Sequence, residues 1–277
     1  MDQTVDSIQE RLASYACALK YEALPADVVR AAKVRIVDTL GALIAGFFAE
    51  PSRIARTLAA AVANPAGATI IGTRVKANLE MAAFANCITA RYPELTDGYV
   101  WPGSFGGHPS DTITSLLSTC EHAHLGGRQL ITSTVLAYEV YTRFSDIFHN
   151  LGFDHATFNC LATAMGAGKL LGLSSEQLAH CISMAIVPNN VLRQVRIGHM
   201  SMYKAAASGS AARCGIFAAL LAKAGMQGPH LPFEGKAGWC NHVALERFSF
   251  KLLGGDGATF KILDTTIKVR PCSGFSM

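Results

Sequence analysis

The sequence predicts a mainly α fold, an all-helical body followed by the start of an α+β region, and three observations carry that expectation. Apolar residues recur at three-to-four spacing through most of the 277 residues. Half of the residues are hydrophobic and only 16% are charged, so the chain has the material for a large core. Ala and Gly recur in long mixed stretches, which suit close-packed helices better than disorder or a coiled coil. The length fits one big domain or two small ones.

Ser7 and Glu10 form a capping-box pattern ahead of Ile8, Leu12, Tyr15 and Leu19, whose spacing marks an amphipathic helix. Pro25 suits the first turn of a second helix, in which Val29, Ala32, Ile36, Leu40 and Leu43 keep the period and predict that most of it is buried. The stretch ATIIGTRV (68–75) is short and β-branched, a small hairpin or an extended connector. Residues 79–90 are expected to be helical. Pro93, Gly98, Pro102, Gly103, Gly106, Gly107 and Pro109 then break the pattern into a long loop, and loops of that length inside a domain are often functional. Ser110 is the expected cap of a helix reaching about residue 123. Gly126 and Gly127 separate it from another with Ala137, Tyr141, Phe144 and Phe148 on one face. The Ala/Gly-rich segment 156–171 ends at Gly172, and Ser174 with Gln177 makes a second capping box for the helix that follows. A further helix over about 201–224 ends at Gly225, ahead of the loop GMQGPHLPFEGKAG. From Phe260 to Val269 the residues alternate as in a strand. The domain expectation is a helical body over 1–257 and the beginning of a smaller α+β unit over 258–277.

The net charge of +4 is spread along the chain, without a basic run or aromatic interleaving, so no nucleic-acid partner is expected; a small anionic ligand fits the charge. The apolar stretch Ile36–Phe48 contains Asp38 and is shorter than the roughly 20 residues that span a bilayer, so no membrane association is expected. The polar, acidic start MDQTVDS resembles neither a signal nor a transit peptide. Eight cysteines sit in apolar segments without a C-x-x-C pair, as reduced core residues in a cytoplasmic protein would.

No H-E-x-x-H, G-x-S-x-G, Walker or G-x-G-x-x-G pattern occurs, so neither a metal nor a nucleotide cofactor is expected. The loop 94–110 sets Glu94, Asp97 and His108 just ahead of a helix N-terminus, where backbone N–H groups favour anions; the alternative is an ordinary surface loop. Asp154 and His155 open the Ala/Gly-rich helix, where Asp154 also fits a simple cap. Lys204 stands among small and aromatic neighbours, which would desolvate it for acid-base work or for holding a carboxylate, unless it snorkels to solvent. Arg193, Arg196 and His199 could build an anion-binding wall or merely solvate a loop. FEGKAG (233–238) is a glycine-bearing turn, and His122 and His124 fit a solvated helix end.

Taken together, RIVDTLGALIAG (35–46), AAFAN (82–86), GHPSD (107–111), GAGKLLGLSSEQL (166–178), the segment 201–229 beginning SMYKAAASG, FEGKAG and IKVRPC (267–272) resemble the MmgE/PrpD family in order and spacing over about residues 8–272. That family includes 2-methylcitrate dehydratase, cis-aconitate decarboxylase and iminodisuccinate epimerase. The resemblance implies an all-helical large domain, a smaller α+β lid domain lying mostly beyond this chain, a site between them that needs no metal or organic cofactor, and a homodimer. It also implies a small di- or tricarboxylate substrate, from which a proton next to a carboxylate is removed, followed by loss of water, loss of carbon dioxide, or reprotonation. His108 matches the family's His-Pro-Ser histidine, and Lys204 the lysine of a Ser-x-Trp-Lys motif in which Tyr203 replaces Trp. His155 or Asp154 falls near another active-site histidine. Cys87 replaces a glycine, Arg91 a histidine and Glu94 an aspartate, Thr96 stands for another, and Asp97 persists. The expected catalytic residues are therefore His108, Lys204, Asp97 and His155, with Glu94, Asp154, Arg193 and Arg196 binding substrate. A non-catalytic dimerising relative and a dicarboxylate epimerase are the alternatives.

Overall fold

The chain enters its first helix, α1 (Ser7–Ala18), through Asp6 rather than through a Ser7–Glu10 capping box. Asp6 Oδ1 accepts the Gln9 N–H at 3.0 Å, while Oδ2 accepts the N–H groups of Phe233 and Glu234. One carboxylate thus caps the helix and fastens the FEGKAG turn to it, and Ser7 turns its hydroxyl to Glu234. The computed structural model describes residues 5–272, so the last five residues of the expected C-terminal unit lie outside it.

Pro25 precedes α2 (Ala26–Gly46) as expected, but most of that helix is not buried. Val28, Ala31, Ala32, Thr39, Ala42, Leu43 and Gly46 face the core, whereas Val37 and Ile44 are 69% and 73% exposed and Phe48, just past the end, is 91% exposed. An outer helix covers one stripe only, and here the opposite stripe is apolar as well. α3 (Glu50–Ala60), with Pro51 in its first turn, has no counterpart in the sequence-based expectation. β1 (Ala63–Thr69) pairs antiparallel with β2 (Lys76–Ala77), so residues 68–75 belong to a hairpin whose first strand starts earlier than ATIIGTRV.

α4 (Leu79–Arg91) leads into the long loop. The loop ends in a 3-10 turn, Pro109–Thr112, that runs on into α5 (Ile113–His122). Ser110 does not cap this helix: its N–H goes to Asp97 and its buried hydroxyl has no hydrogen-bond partner among the described residues. α6 (Gly127–Ile147), α7 (Ala156–Leu170), α8 (Ser175–Ile186) and α9 (Tyr203–Lys223) follow where the periodicity puts them, and the Ser174–Gln177 capping box forms in both directions.

α9 packs along α7 on one side and α4 on another. Glycines allow that approach: a Cβ at Gly215 would overlap the Cys160 carbonyl, and one at Gly209 would come within 2.6 Å of Ile88 Cγ1. By length and composition α9 could also cross a bilayer, a possibility that the stretch 36–48 did not raise. With 61% of its apolar window buried against neighbouring helices, it has the surroundings of a core helix.

The alternation over 260–269 does not make a strand. Lys261–Asp264 is a 3-10 turn, and Thr266 forms a single antiparallel bridge with Gly98. Phe260 and Ile262 are buried, so their spacing reflects packing on the helical body rather than pairing in a sheet. The buried Glu139 of α6 accepts the N–H groups of Gly254 and Lys261 at 2.7 and 2.9 Å, and Arg35 of α2 donates to the Thr265 carbonyl at 2.7 Å. Just ahead of this turn, β3 (Leu253–Gly254) and β4 (Gly257–Ala258) form a two-residue pairing.

Candidate active site

The loop between α4 and α5 is long but tightly held. Tyr99 and Gly107 exchange backbone hydrogen bonds at 2.8 and 3.1 Å, Gly98 and Thr266 do the same, and the Phe105 N–H donates to the Ser145 carbonyl at 2.7 Å. Gly107 has φ of +139°, and any Cβ there would run into the Tyr141 hydroxyl and lie 2.9 Å from His155 Cβ. Only glycine lets the loop pass this close to α6 and α7. The next residue, His108, thereby comes beside His155, their rings edge-to-face at 5.3 Å.

His108 and His155 retain only 8% and 9% exposure. His108 Nδ1 lies 2.6 Å from the Asp97 carbonyl, which can only accept, so this nitrogen carries the proton. Burial pushes the His108 imidazole well below its ordinary range, helped by the Arg91 guanidinium and by His155. Burial, with Arg196 and Arg91 next, does the same to His155. Both rings are therefore neutral near pH 7, and the Nε2 atom of His108 is left as a lone-pair acceptor with no hydrogen-bond partner among the described residues.

Asp97 is fully buried, and both carboxylate oxygens are engaged. Oδ1 accepts the Ser110 N–H at 3.2 Å and Oδ2 the Tyr138 hydroxyl at 2.8 Å. Burial raises its pKa, and those two hydrogen bonds oppose the rise. Its carboxylate fixes the loop, and its carbonyl fixes His108.

Next to the histidines is a cluster of opposite charges. Glu94, at a left-handed φ of 58°, sets Oε1 2.7 Å from Lys204 Nζ and Oε2 2.7 Å from Arg91 Nη1, with Lys268 Nζ at 3.8 Å. Burial works against its charge, but Arg91 and Lys204 outweigh that and hold the carboxyl at about 2. The fully buried Asp111 accepts the Ser208 hydroxyl at 2.6 Å and is pushed up to about 6 by burial, even with Arg91 Nε at 3.5 Å. That contact is an ion pair without an aligned hydrogen bond. Lys268 is buried and donates to the carbonyls of Glu94 and Cys272; burial, then Arg91, lowers its pKa.

The remaining expected residues divide. Asp154 Oδ1 accepts the Ala156 N–H at the start of α7, as a cap would, while Oδ2 holds Arg196 Nε at 2.6 Å. The two Nη groups of Arg196 are buried without a hydrogen-bond partner among the described residues. Arg193 stacks over the Phe105 ring at 5.4 Å, and His199 is exposed. The structure thus gathers His108, His155, Asp97, Glu94 and Lys204, places the Asp154–Arg196 ion pair near His155, and leaves Arg193 at the margin. Sequence reasoning missed Tyr138, Tyr141, Asp111 and Lys268, and it saw Arg91 only as a replacement. The one local signal was the i, i+3 spacing of Tyr138 and Tyr141, which puts both hydroxyls on one face of α6.

Among the described residues, no group of three or more His, Cys, Asp and Glu side chains is placed to hold a metal ion. A groove of about 610 Å³ elsewhere is lined by Met184, Val187, Phe217, Leu221, Met226 and others, with Glu80 and Arg213 its only charged groups. Convergent acid-base groups, not volume, mark the histidine cluster as the candidate site.

A family model described as the MmgE/PrpD N-terminal domain matches residues 10–251. The chain is 29% identical over 181 residues to a probable 2-methylcitrate dehydratase of Saccharomyces cerevisiae, covering 60% of this chain and 35% of the relative. It is 27% identical over 177 residues to the 2-methylcitrate dehydratase of Escherichia coli K12, covering 59% and 36%. A 2-methylcitrate dehydratase-like protein of Aspergillus oryzae is 26% identical over 241 residues, covering 80% and 48%. The chain therefore spans about a third to a half of the length of these relatives.

Proposed function

The chain belongs to the MmgE/PrpD family through its N-terminal domain, and from that premise we propose that it carries the acid-base half of a cofactor-independent lyase acting on a small di- or tricarboxylate. The leading reaction is dehydration of a substrate of the 2-methylcitrate type. The observation that carries the reading is a neutral histidine, His108, whose Nε2 has no hydrogen-bond partner among the described residues, near the cations Arg91 and Lys268, to which Lys204 is joined through Glu94.

A C–H next to a carboxylate is a weak acid, so its removal needs a placed base and positive charge where the electrons go. In this mechanism His108 Nε2 takes that proton, and the C–H electron pair moves into the adjacent carboxylate as an enediolate. Lys204 exchanges Glu94 for a substrate carboxylate and stabilises the developing charge, while Arg196, whose two Nη groups have no hydrogen-bond partner among the described residues, takes a second carboxylate. Collapse of the enediolate expels hydroxide from the neighbouring carbon, and the His108 imidazolium returns its proton to it. C–H and C–O bonds break, a C=C bond forms, water leaves, and His108 is neutral again. Asp97 is a positioning residue in this scheme. The proposal includes the homodimer and the cytoplasmic location expected from the sequence.

One observation favours a second reading, that of a non-catalytic relative: Glu94 already neutralises Lys204 and Arg91. Incubation with 2-methylcitrate, citrate and cis-aconitate in deuterated water, followed by proton NMR, separates the readings. A new alkene from a hydroxyacid supports dehydration, and carbon dioxide loss supports decarboxylation. Exchange of the C–H without an alkene supports the epimerase alternative. No change in any substrate, with no binding by calorimetry, would overturn the enzymatic proposal.

A further inference from the structure

Among the described residues, Tyr141 is the one side chain that hydrogen-bonds to both histidines. Its hydroxyl oxygen accepts the His108 backbone N–H at 3.0 Å and lies 2.8 Å from His155 Nδ1. The residue is fully buried, and burial holds its phenol protonated. The phenol therefore has one proton to place, and His155 Nδ1 is the acceptor within reach. If Nδ1 carried the ring proton instead, the phenol proton would be stranded without an acceptor among the described residues, which a buried site disfavours. His108 is bound the other way round, since its Nδ1 faces a carbonyl and must donate.

We propose that Tyr141 is a positioning residue that locks His155 in the Nε2–H tautomer, while the Asp97 carbonyl locks His108 in the Nδ1–H tautomer. Two adjacent neutral histidines then offer unlike groups for chemistry, a lone pair on His108 Nε2 and an N–H on His155 Nε2. The division of labour follows directly. His108 takes the proton from carbon, and His155 donates a hydrogen bond to the oxygen on which negative charge develops. The His155 proton stays on nitrogen throughout, so no imidazolate forms and no further proton carrier is needed. A neutral imidazole is a suitable donor here because it strengthens its bond as charge builds up without competing as an acid. Gly107 belongs to the same device: a side chain there would displace the Tyr141 hydroxyl.

This inference rests on the proposed function for its purpose but not for its test. Long-range proton–nitrogen NMR on protein labelled with ¹⁵N-histidine reports the tautomer of each ring, and single His→Gln variants assign His108 and His155 among the nine histidines. Opposite tautomers are expected, with pyrrole-type Nδ1 in His108 and pyrrole-type Nε2 in His155. In Tyr141→Phe the His155 signals should move toward a tautomer mixture while those of His108 stay, and kcat should fall about tenfold or more with KM little changed. The same tautomer in both rings, or a His155 pattern untouched by Tyr141→Phe, would overturn the proposal. If the variant fails to fold, the wild-type spectrum decides alone. Opposite tautomers in a protein that turns over no carboxylate would uphold the proton arrangement and remove the carboxylate reading instead.

Discussion

Two irregular segments meet at the site, and they are built in opposite ways. The loop between α4 and α5 has its backbone tied to itself, to α6 and to Thr266, and it buries Asp97, Tyr99 and His108. The segment between α8 and α9 is held as far as its 3-10 turn Arg193–Arg196, by Asp154 on the Arg196 side chain, the Asp154 N–H on the Val191 carbonyl, the Val191 N–H on Thr157 Oγ1, the Arg193 N–H on the Gly152 carbonyl and the Trp239 Nε1–H on Asn190 Oδ1, but beyond the turn Ile197, Met200 and Met202 are exposed. The first segment fixes His108, the proposed base, whereas the stretch 197–202 of the second has no hydrogen bond to the helical body beyond the first turn of α9 among the described residues. Rigid placement suits a proton-transfer group, for which small displacements weaken catalysis, and looseness suits substrate capture.

The comparison breaks most visibly at Lys204, which reaches from α9 to Glu94 on the rigid loop. Lys204→Ala should lower kcat/KM for the proposed carboxylate substrate about a hundredfold, because it removes the most accessible cation of the cluster. Steady-state kinetics with retention of native circular dichroism would check this, and wild-type rates would rule the role out. Asp97→Ala should then show how much the rigid loop depends on one carboxylate. It strands the Ser110 N–H and the Tyr138 hydroxyl, at about 1–3 kcal/mol for each buried donor, and lowers the urea midpoint accordingly.

Acid titration sharpens the contrast further. His108 and His155 have depressed values in the fold, so their contribution is complete above the ordinary 6.5 and is lost as the pH falls below it. Glu94, also depressed, contributes above its ordinary 4.5 and loses that contribution as the pH falls toward about 2. These groups should make stability, measured by urea titration, fall below about pH 6.5 and again below about pH 4.5, while Asp111, raised to about 6, works the other way as the pH falls through that value. Glu94→Gln should flatten the second limb only. The smallest effect belongs to the second segment. Arg193→Ala removes a partly exposed stacking contact with Phe105 and should change stability by about 0.5 kcal/mol or less.

What the sequence made legible follows the range of the interactions involved. α6 through α9 were readable because apolar period, capping residues and closing glycines all act within a few positions. α3 was missed because its buried face is Pro51, Ser52, Ala55 and Ala59, small residues that leave little hydrophobic signal. The strand expected over 260–269 failed because alternating burial also arises where a short turn packs on helices. In the site, His108, His155, Lys204, Glu94 and Asp97 came from local patterns and the family resemblance. Tyr141, Asp111 and Lys268 did not, since their meaning depends on contacts with residues far away in the chain. Arg91 was visible only as a departure, yet it is 2% exposed and touches both Glu94 and Asp111.

The central claim is that His108 is the base. The most direct test follows loss of the C–H proton next to the substrate carboxylate in deuterated water, comparing the wild-type chain with His108→Gln at pH 7.5. Proton loss in the wild type that slows about a hundredfold or more in the variant, with substrate binding kept, is the expected result. Equal rates in the two proteins would contradict the account.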